Sequence, residues 1–485
     1  MPSSRVVRVG PAITGASAAA LDSGIARIQA EQQVPTGFPP EVEDAARRAA
    51  AAPRLPQLDR TDLPLVTIDP EGSRDLDQAL HLARAGPGFT VHYAIADLAA
   101  FVLPGDPVDR EAHRRGETLY GADAKAPLHP RAISEDAGSL LPGQTRPALL
   151  WRLDLDGAGA LTGARVERAL VRSRAQLSYA TAQSLLEDGS AGESWRLLGE
   201  VGGLRLRQEA ERGGVSLPLP EQEIDLVDGE WRLEFRALLP VEQWNAQISL
   251  LTGFAAAEMM VQARVGLLRV LPPPQARDLD RLRRTARGLG IAWPSEERYA
   301  DFVRGLDPTS ATHTAMVVAC TRLLRGSGYR DFHGELPEQR SHAALAADYA
   351  HVTAPLRRLV DRYALEVCVR VCAGEPVPDW VLAALPGLPE TMRESGRRAG
   401  RYERAIVDLV EAEVLASQVG TRFPAVVVDV DERDPRRGTV VVREPAVEAP
   451  VRSATTPLPL GADVEVVLAR ADPGARIVEF AWEAP

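Results

Sequence analysis

The apolar periodicity of this chain changes twice, and those two changes limit the folds open to it. From Leu63 the segments LPLVTID and FTVHYAIAD are rich in β-branched and aromatic residues, with a GPG turn at 86–88 between them, and they read as strands. ALLWRLDLDGAGALTGARVERALVRSR alternates apolar and polar residues around a DGAG turn and reads as a hairpin. From about Tyr179 to Gly214 the period becomes helical. Residues 241–269 form the longest apolar-periodic stretch, expected as one central buried helix, and further helices are expected over 276–290, 310–327, 356–373 and 386–418. After Gly420 the pattern returns to short alternating strands, separated by turns at DPRRG, LPLGAD and ADPGAR. About five strands in this tail suit a small OB-type barrel. Residues 1–55 are Ala-rich with helical spacing, and Pro40 suits the first turn of a helix. The expected fold class is therefore α+β: a mixed sheet with surrounding helices, a C-terminal OB-fold barrel and a short helical N-terminal region. The boundaries are set at 1–55, 56–417 and 418–485.

With 45% apolar and 25% charged residues over 485 positions, the composition is that of an ordinary soluble globular protein. No window approaches the roughly 18–20 consecutive apolar residues of a membrane span. MPSSRVVRVG lacks the apolar core of a signal peptide, so a cytoplasmic location is expected. Cys320, Cys368 and Cys372 have no further ligands at zinc spacing and read as buried, reduced thiols. The net charge of −11 argues against a nucleic-acid partner only weakly, because a basic channel can lie inside an acidic exterior. Lys125 is the single lysine, so nearly all positive charge is arginine. That bias reflects either codon usage or bidentate phosphate recognition.

In TIDPEGSRDLDQA, Asp69 ends a strand, Asp-Pro-Glu-Gly fits a type I turn, and Asp75 and Asp77 point the same way if extended. Three carboxylates brought together repel strongly unless they face water or a divalent cation neutralises them. A solvated acidic turn and a two-metal phosphodiester centre both fit this spacing. In DYAHVTAPLRRLVDRYALEV, Thr353-Ala354-Pro355 reads as an N-cap and helix start, which puts Arg357 and Arg358 in the first turn. Such a start is either a phosphate site or an exposed helix end pairing Arg358 or Arg362 with Asp361 or Glu366. Asp97 reads as the cap of a turn or a neighbour of the acidic site. Tyr120 reads as a channel aromatic or an ordinary tyrosine, and His129, His333 and His351 read as structural. RLRR at 281–284 reads as a solvated face. The five arginines of RESGRRAGRYER, Arg401 among them, read as a phosphate-contact candidate.

These segments resemble the RNB-domain exoribonucleases of the ribonuclease II / ribonuclease R family. TIDPEGSRDLDQA is similar to their acidic signature, and IADLAAFV, RGETLY, ISEDAGSLLPGQTRPAL, AQLSYATAQSLLE, HVTAPLRR and an S1-like tail follow in the family's order over roughly residues 40–485. The resemblance implies processive 3′→5′ hydrolysis of single-stranded RNA to nucleoside 5′-monophosphates, dependent on Mg²⁺ or Mn²⁺. It implies metal-binding and catalytic roles for Asp69, Asp75 and Asp77, with Gln78 in the place of a fourth aspartate. Arg357 matches the arginine that stabilises the cleaved phosphate, and Arg358 its basic neighbour. Tyr179 matches an aromatic packed on the 3′-terminal nucleotide, and Glu403 a glutamate facing it. Tyr120 and Arg401 complete the expected RNA contacts. As a ligand, the Gln78 carbonyl carries no formal charge, and on that reading Gln78→Asp keeps or raises hydrolysis at limiting Mg²⁺. Only about 55 residues precede the core, with helical texture, so the family's usual pair of cold-shock OB domains is expected to be absent and structured RNA with a 3′ overhang is included among expected substrates. No obligate protein partner is implied, and a monomer is expected. Two other classes stay open: an RNA-binding protein with a degenerate RNB domain that no longer cuts, and a metal-dependent phosphodiesterase acting on DNA or small molecules.

Overall fold

The alternating segments close into two separate barrels, joined by a helical body. The computed structural model describes residues 16–121, 125–217, 221–227, 230–307 and 310–484. In the first barrel the strands Leu65–Ile68, Gln78–Ala85, Gly88–Ala96, Thr145–Leu155 and Leu161–Leu177 are neighbours in that order. Closure comes from a parallel pairing of the first strand with the last, in which Leu65 faces Ser173 and Ile68 faces Leu177; the other pairings are antiparallel. The expected mixed sheet is thus a closed one. Leu80, Val91 and Leu153 are buried with Trp151 and Tyr93 in one cluster on the strand face that meets the helices, and burying each aliphatic side chain contributes about 1.5–3 kcal/mol.

That core continues into two helices, Pro240–Ala263 and Leu359–Ala373, which supply Ile248, Leu251, Val360 and Tyr363 to the same cluster. The expected single helix over 241–269 ends early. Arg264 adopts the left-handed conformation, and Val265–Val270 is a strand paired antiparallel with Gly328–His333. The helix expected over 310–327 is Ala311–Cys320 followed by a 3₁₀ turn, Thr321–Leu324. The long helix Leu388–Leu415 falls within the expected 386–418.

The second barrel contains Arg422–Val430, Arg437–Val442, Val447–Ser453, Asp463–Asp472 and Ile477–Trp482, with the last two strands exchanged in spatial order. It agrees with the expected C-terminal OB-type barrel. Its core is shared: Leu21, Ile25 and Ile28 of the N-terminal helix Ala16–Glu31 pack with Tyr402, Ile406 and Leu409 of the long helix and with Phe423, Val466 and Phe480 of the barrel. Among the described residues, no helix is long and apolar enough to cross a membrane.

One close approach fixes the segment before Leu359. Ala350 N donates to the Gly253 carbonyl at 3.2 Å. A Cβ on Gly253 would lie 2.1 Å from Tyr349 Cε2 and 2.6 Å from the Ala350 carbonyl. Alanine there gains about 1 kcal/mol of helix propensity, but overpacking costs about 1–3 kcal/mol. Gly253→Ala is therefore expected to lower the urea midpoint at unchanged slope. A midpoint at or above the wild-type value would show that the two segments separate without cost.

Candidate active site

Asp69 follows the first barrel strand, and the chain reverses immediately after it. The turn is shifted by one residue from the expected Asp-Pro-Glu-Gly: Ser73 N donates to the Pro70 carbonyl at 3.2 Å, and Gly72 has φ +77°. That positive φ belongs at the third position of a type II turn, so glycine is required there rather than at the fourth position of a type I turn. Ser139 Oγ then accepts from Leu76 N and donates to the Arg74 carbonyl, which carries Asp75 and Asp77 back across the barrel end.

Asp77 is the hub. Its Oδ1 accepts from Leu356 N at 2.8 Å and its Oδ2 from Arg357 Nε at 2.8 Å. It is 2% exposed, whereas the Arg357 side chain is 40% exposed and so remains open to a substrate. Tyr120 lies beside Arg357, which brings together two of the expected contacts. Asp75 instead pairs with Lys125 Nζ at 2.7 Å, and Glu135 holds the same ammonium at 3.0 Å. Sequence reading missed Lys125 and Glu135 as site residues, although Lys125 is the only lysine in the chain.

Asp69 makes no hydrogen bond or ion pair through its carboxylate among the described residues. Burial, reinforced by Asp77 and Asp75, raises its pKa to about 7 against the pull of Arg357. Burial likewise lifts Asp77 to about 6, with Arg357 and the Leu356 amide opposing. Tyr179 caps this side. It opens the helix Tyr179–Glu187 behind its N-cap Ser178, accepts from Asn245 Nδ2 at 3.4 Å, and is pushed up to about 12 by burial and by Asp69.

The described residues contain no group of three or more His, Cys, Asp or Glu side chains arranged to hold a metal ion. Two of the three aspartates expected to form one such group are paired with cations instead, Asp77 with Arg357 and Asp75 with Lys125. The donor set nonetheless suits a hard divalent cation: the buried Asp69 carboxylate has no partner, and two further carboxylates raise its pKa. Gln78 is placed differently from expectation. Its carbonyl accepts from Tyr93 OH at 2.7 Å and its amide NH₂ donates to the Thr353 carbonyl. Both ends of the amide are engaged, so Gln78 staples the 353 segment to the barrel and is not poised as a ligand.

The helix expected to start at Thr353 starts at Leu359, and Arg357 and Arg358 precede its first turn. Asp361 explains the difference. Its Oδ1 accepts from Ala354 N at 2.7 Å, and both its oxygens take Arg358 at 2.8 Å. Arg358 is thereby paired within the protein, as one of the two expectations for this segment had it. Thr118 N donates to the Arg357 carbonyl at 2.9 Å, and Leu359 N to Gly116 at 3.0 Å, so RGETLY braces the same segment. Glu117 of that stretch raises the pKa of Glu403, which burial already lifts, to about 7. Glu117 is a third residue that sequence reading passed over. Arg401 stands apart from the acidic end, in a groove on another side of the long helix. Asp97 caps the turn Leu98–Ala100 and pairs with Arg168 at 2.8 Å, and His351 Nδ1 meets Tyr329 OH at 2.7 Å, a structural role as expected.

A family model described as the RNB domain matches residues 57–371, and one described as the RNase II-type exonuclease C-terminal S1 domain matches residues 421–483. Ribonuclease R of Escherichia coli (strain K12) is 27% identical over 433 residues, covering 83% of this chain and 51% of that protein. The chain thus spans about half the length of that relative. Mycoplasma genitalium RNase R in complex with ribose-methylated single-stranded RNA superimposes with a TM-score of 0.85 at 19% identity, over 96% of this chain and 78% of that one. Yeast Ssd1, a pseudonuclease, superimposes with a TM-score of 0.70 at 18% identity, over 95% and 58%. Both likenesses show a shared fold.

The raised Asp69 pKa has a thermodynamic consequence. A carboxyl whose folded pKa lies near 7 rather than 3.8 binds its proton more tightly when folded. It contributes stability that is fully present below the unfolded pKa and lost as pH rises through about 7. In metal-free protein, unfolding free energy is expected to fall between pH 5 and pH 8, and Asp69→Asn is expected to flatten that fall. Equal pH slopes for the two proteins in urea titrations with EDTA would contradict the assignment.

Proposed function

Because the chain belongs to the RNB-domain family, we propose that it is a processive 3′→5′ exoribonuclease that hydrolyses single-stranded RNA to nucleoside 5′-monophosphates. The observation that carries this reading is the Asp77–Arg357 pair beside the unpartnered carboxylate of Asp69. A divalent cation, Mg²⁺ or Mn²⁺, held by Asp69, Asp75 and Asp77 would supply a water of lowered pKa and charge stabilisation at the phosphate. The chain's own residues provide the rest. Asp77 takes Arg357 through Nε, which leaves both Nη nitrogens without a carboxylate and able to meet charge developing on the scissile phosphate. Tyr120 steadies that guanidinium. Tyr179, beside Asp69, offers a ring for the last base, and such stacking contributes about 1–3 kcal/mol. Glu403, partly protonated near neutral pH, can accept from or donate to ribose hydroxyls, contacts that separate RNA from DNA. The Lys125–Asp75–Glu135 cluster holds Asp75 at the edge of the site.

The degenerate, non-cutting alternative draws on Gln78 and on the fold shared with a pseudonuclease. It is the weaker reading, because Asp69, Asp75, Asp77 and Arg357 are all retained and Gln78 has structural work of its own. Release of nucleoside monophosphates from labelled poly(A) with Mg²⁺ decides between them, and single-stranded DNA as competitor tests the general phosphodiesterase.

Arg357→Lys keeps the charge but loses the planar fork. It is expected to slow hydrolysis by about 10²-fold or more while RNA affinity in EDTA changes little. A matching loss of affinity would assign Arg357 to ground-state binding. Gln78→Asp shortens the staple and removes the donor to Thr353. It is therefore expected to lower hydrolysis at every Mg²⁺ concentration, and higher activity at limiting Mg²⁺ would restore the ligand account.

A further inference from the structure

The long helix carries a second constellation that the acidic end does not use. Arg397, Arg401 and Arg404 follow one another at spacings of four and three residues and stack along one side of Leu388–Leu415. They line a groove of about 540 Å³ whose far walls are Gln32, just beyond the N-terminal helix, and Ala475 and Arg476, in the turn joining the last two barrel strands. Arg476 holds φ +58°, unusual for a residue with a side chain, and pairs with Glu31 at 2.7 Å. Arg27 Nη2 donates to the Gly474 carbonyl at 2.9 Å, which ties the same turn to the N-terminal helix. The fourth arginine is thus set in place by the contact between two units of the fold.

Arg397, Arg401 and Arg404 are exposed, and none makes an ion pair or hydrogen bond with another described residue. Against the four guanidiniums stand Asp408 in the lining and Glu31, which pairs with Arg476. Gly396 and Gly400 form the floor. A Cβ on Gly400 would meet nothing within 4 Å, and one on Gly396 would meet only Glu117 Oε1, at 3.6 Å. The helix backbone therefore stays open to a chain-like anion between the arginines. Gly396 also borders the other side of the helix, where Glu117 pairs across an isolated bridge with Arg358. The groove and the Arg357 segment are separated by the width of that helix.

We propose that this groove takes the ribose-phosphate backbone of the RNA strand upstream of the nucleotide being cut, with Arg397, Arg401, Arg404 and Arg476 each facing a phosphate. The proposal rests on the exoribonuclease reading for the direction of the strand. Repeated guanidiniums on an open floor suit a phosphate repeat, whereas a compact anion would occupy only one or two of them. Phosphate contacts of this kind position a strand without reading its sequence.

The test is binding of 5′-labelled oligoribonucleotides of about 4 and about 16 nucleotides by fluorescence anisotropy in EDTA. In Arg397→Ala/Arg404→Ala, affinity for the long oligomer is expected to fall about tenfold, far more than for the short one. The slope of log K against log salt should drop by about 1.4, at roughly 0.7 per lost phosphate contact. The corresponding Arg→Lys pair should restore most of the slope. Gly400→Leu fills the floor without changing charge, favours the helix, and should weaken the long oligomer selectively at full stability. Equal losses at both lengths, or an unchanged salt slope, overturns the groove. Wild-type hydrolysis with Mg²⁺ reads the enzymatic assignment separately: length-dependent binding without hydrolysis would sink that assignment and leave the groove standing.

Discussion

The pair between Asp77 and Arg357, residues 280 positions apart, holds the candidate site together. A carboxylate 2% exposed costs several kcal/mol to bury unless it is paired and hydrogen-bonded. Asp77 meets that cost by binding Arg357 and the Leu356 amide together. The result is to draw the segment before Leu359 onto the end of the first barrel. The other ties then follow from proximity: Gln78 to Thr353, Asp361 to Ala354, and RGETLY to Arg357 and Leu359. Asp77 pairs with Arg357, Asp75 and Glu135 share Lys125, and Asp69 is the carboxylate left without a cation among the described residues. Burial raises its pKa, and the charges of Asp77 and Asp75 add to the rise against the pull of Arg357.

What the sequence made legible was the part governed by local pattern. Alternation located the strands of both barrels, though only the second was expected to close, and the spacing of Asp69, Asp75 and Asp77 together with the ordered motifs pointed to the site. The failures arise from side-chain and strand partners that the local pattern does not reveal, most of them distant in the chain. Thr353-Ala354-Pro355 has the local form of a helix start, but Asp361 captures Ala354 N and Arg358, and Asp77 captures Leu356 N and Arg357, so residues 354–358 form turns instead. Residues 265–270 continue the apolar pattern of the preceding helix, yet they pair with Gly328–His333 and become a strand. Apolar runs of that length do not distinguish the two states. Lys125 was visible only as an oddity of composition, because nothing near it in sequence indicates that it reaches Asp75 and Glu135.

Gln78 shows why a missing charge in a signature is weak evidence for lost function. Read as a ligand, the amide is a defect. In the structure it is a bridge between Tyr93, buried in the barrel, and the Thr353 carbonyl. A carboxylate could accept from Tyr93 but could not donate to Thr353. The substitution therefore exchanges one carboxylate for a backbone clamp on the arginine segment, and the acidic end keeps the three aspartates that face Arg357 and Lys125.

The net charge of −11 and the arginine-rich composition become compatible once charge is followed by location. Many surface arginines are spent locally: Arg298 and Arg304 on Asp301, Arg393 on Glu390, Arg47 on Asp44, all exposed pairs that add little stability. Arg397, Arg401 and Arg404 are not spent in this way, and they are gathered where the N-terminal helix, the long helix and the second barrel meet. Gathering four guanidiniums in one groove concentrates attraction for a polyanion there, whatever the net charge. The shared core of Leu21, Ile25, Tyr402, Ile406 and Phe480 then has a second consequence: it keeps the arginines of the long helix and Arg476 of the barrel in fixed register, as a row of phosphates requires.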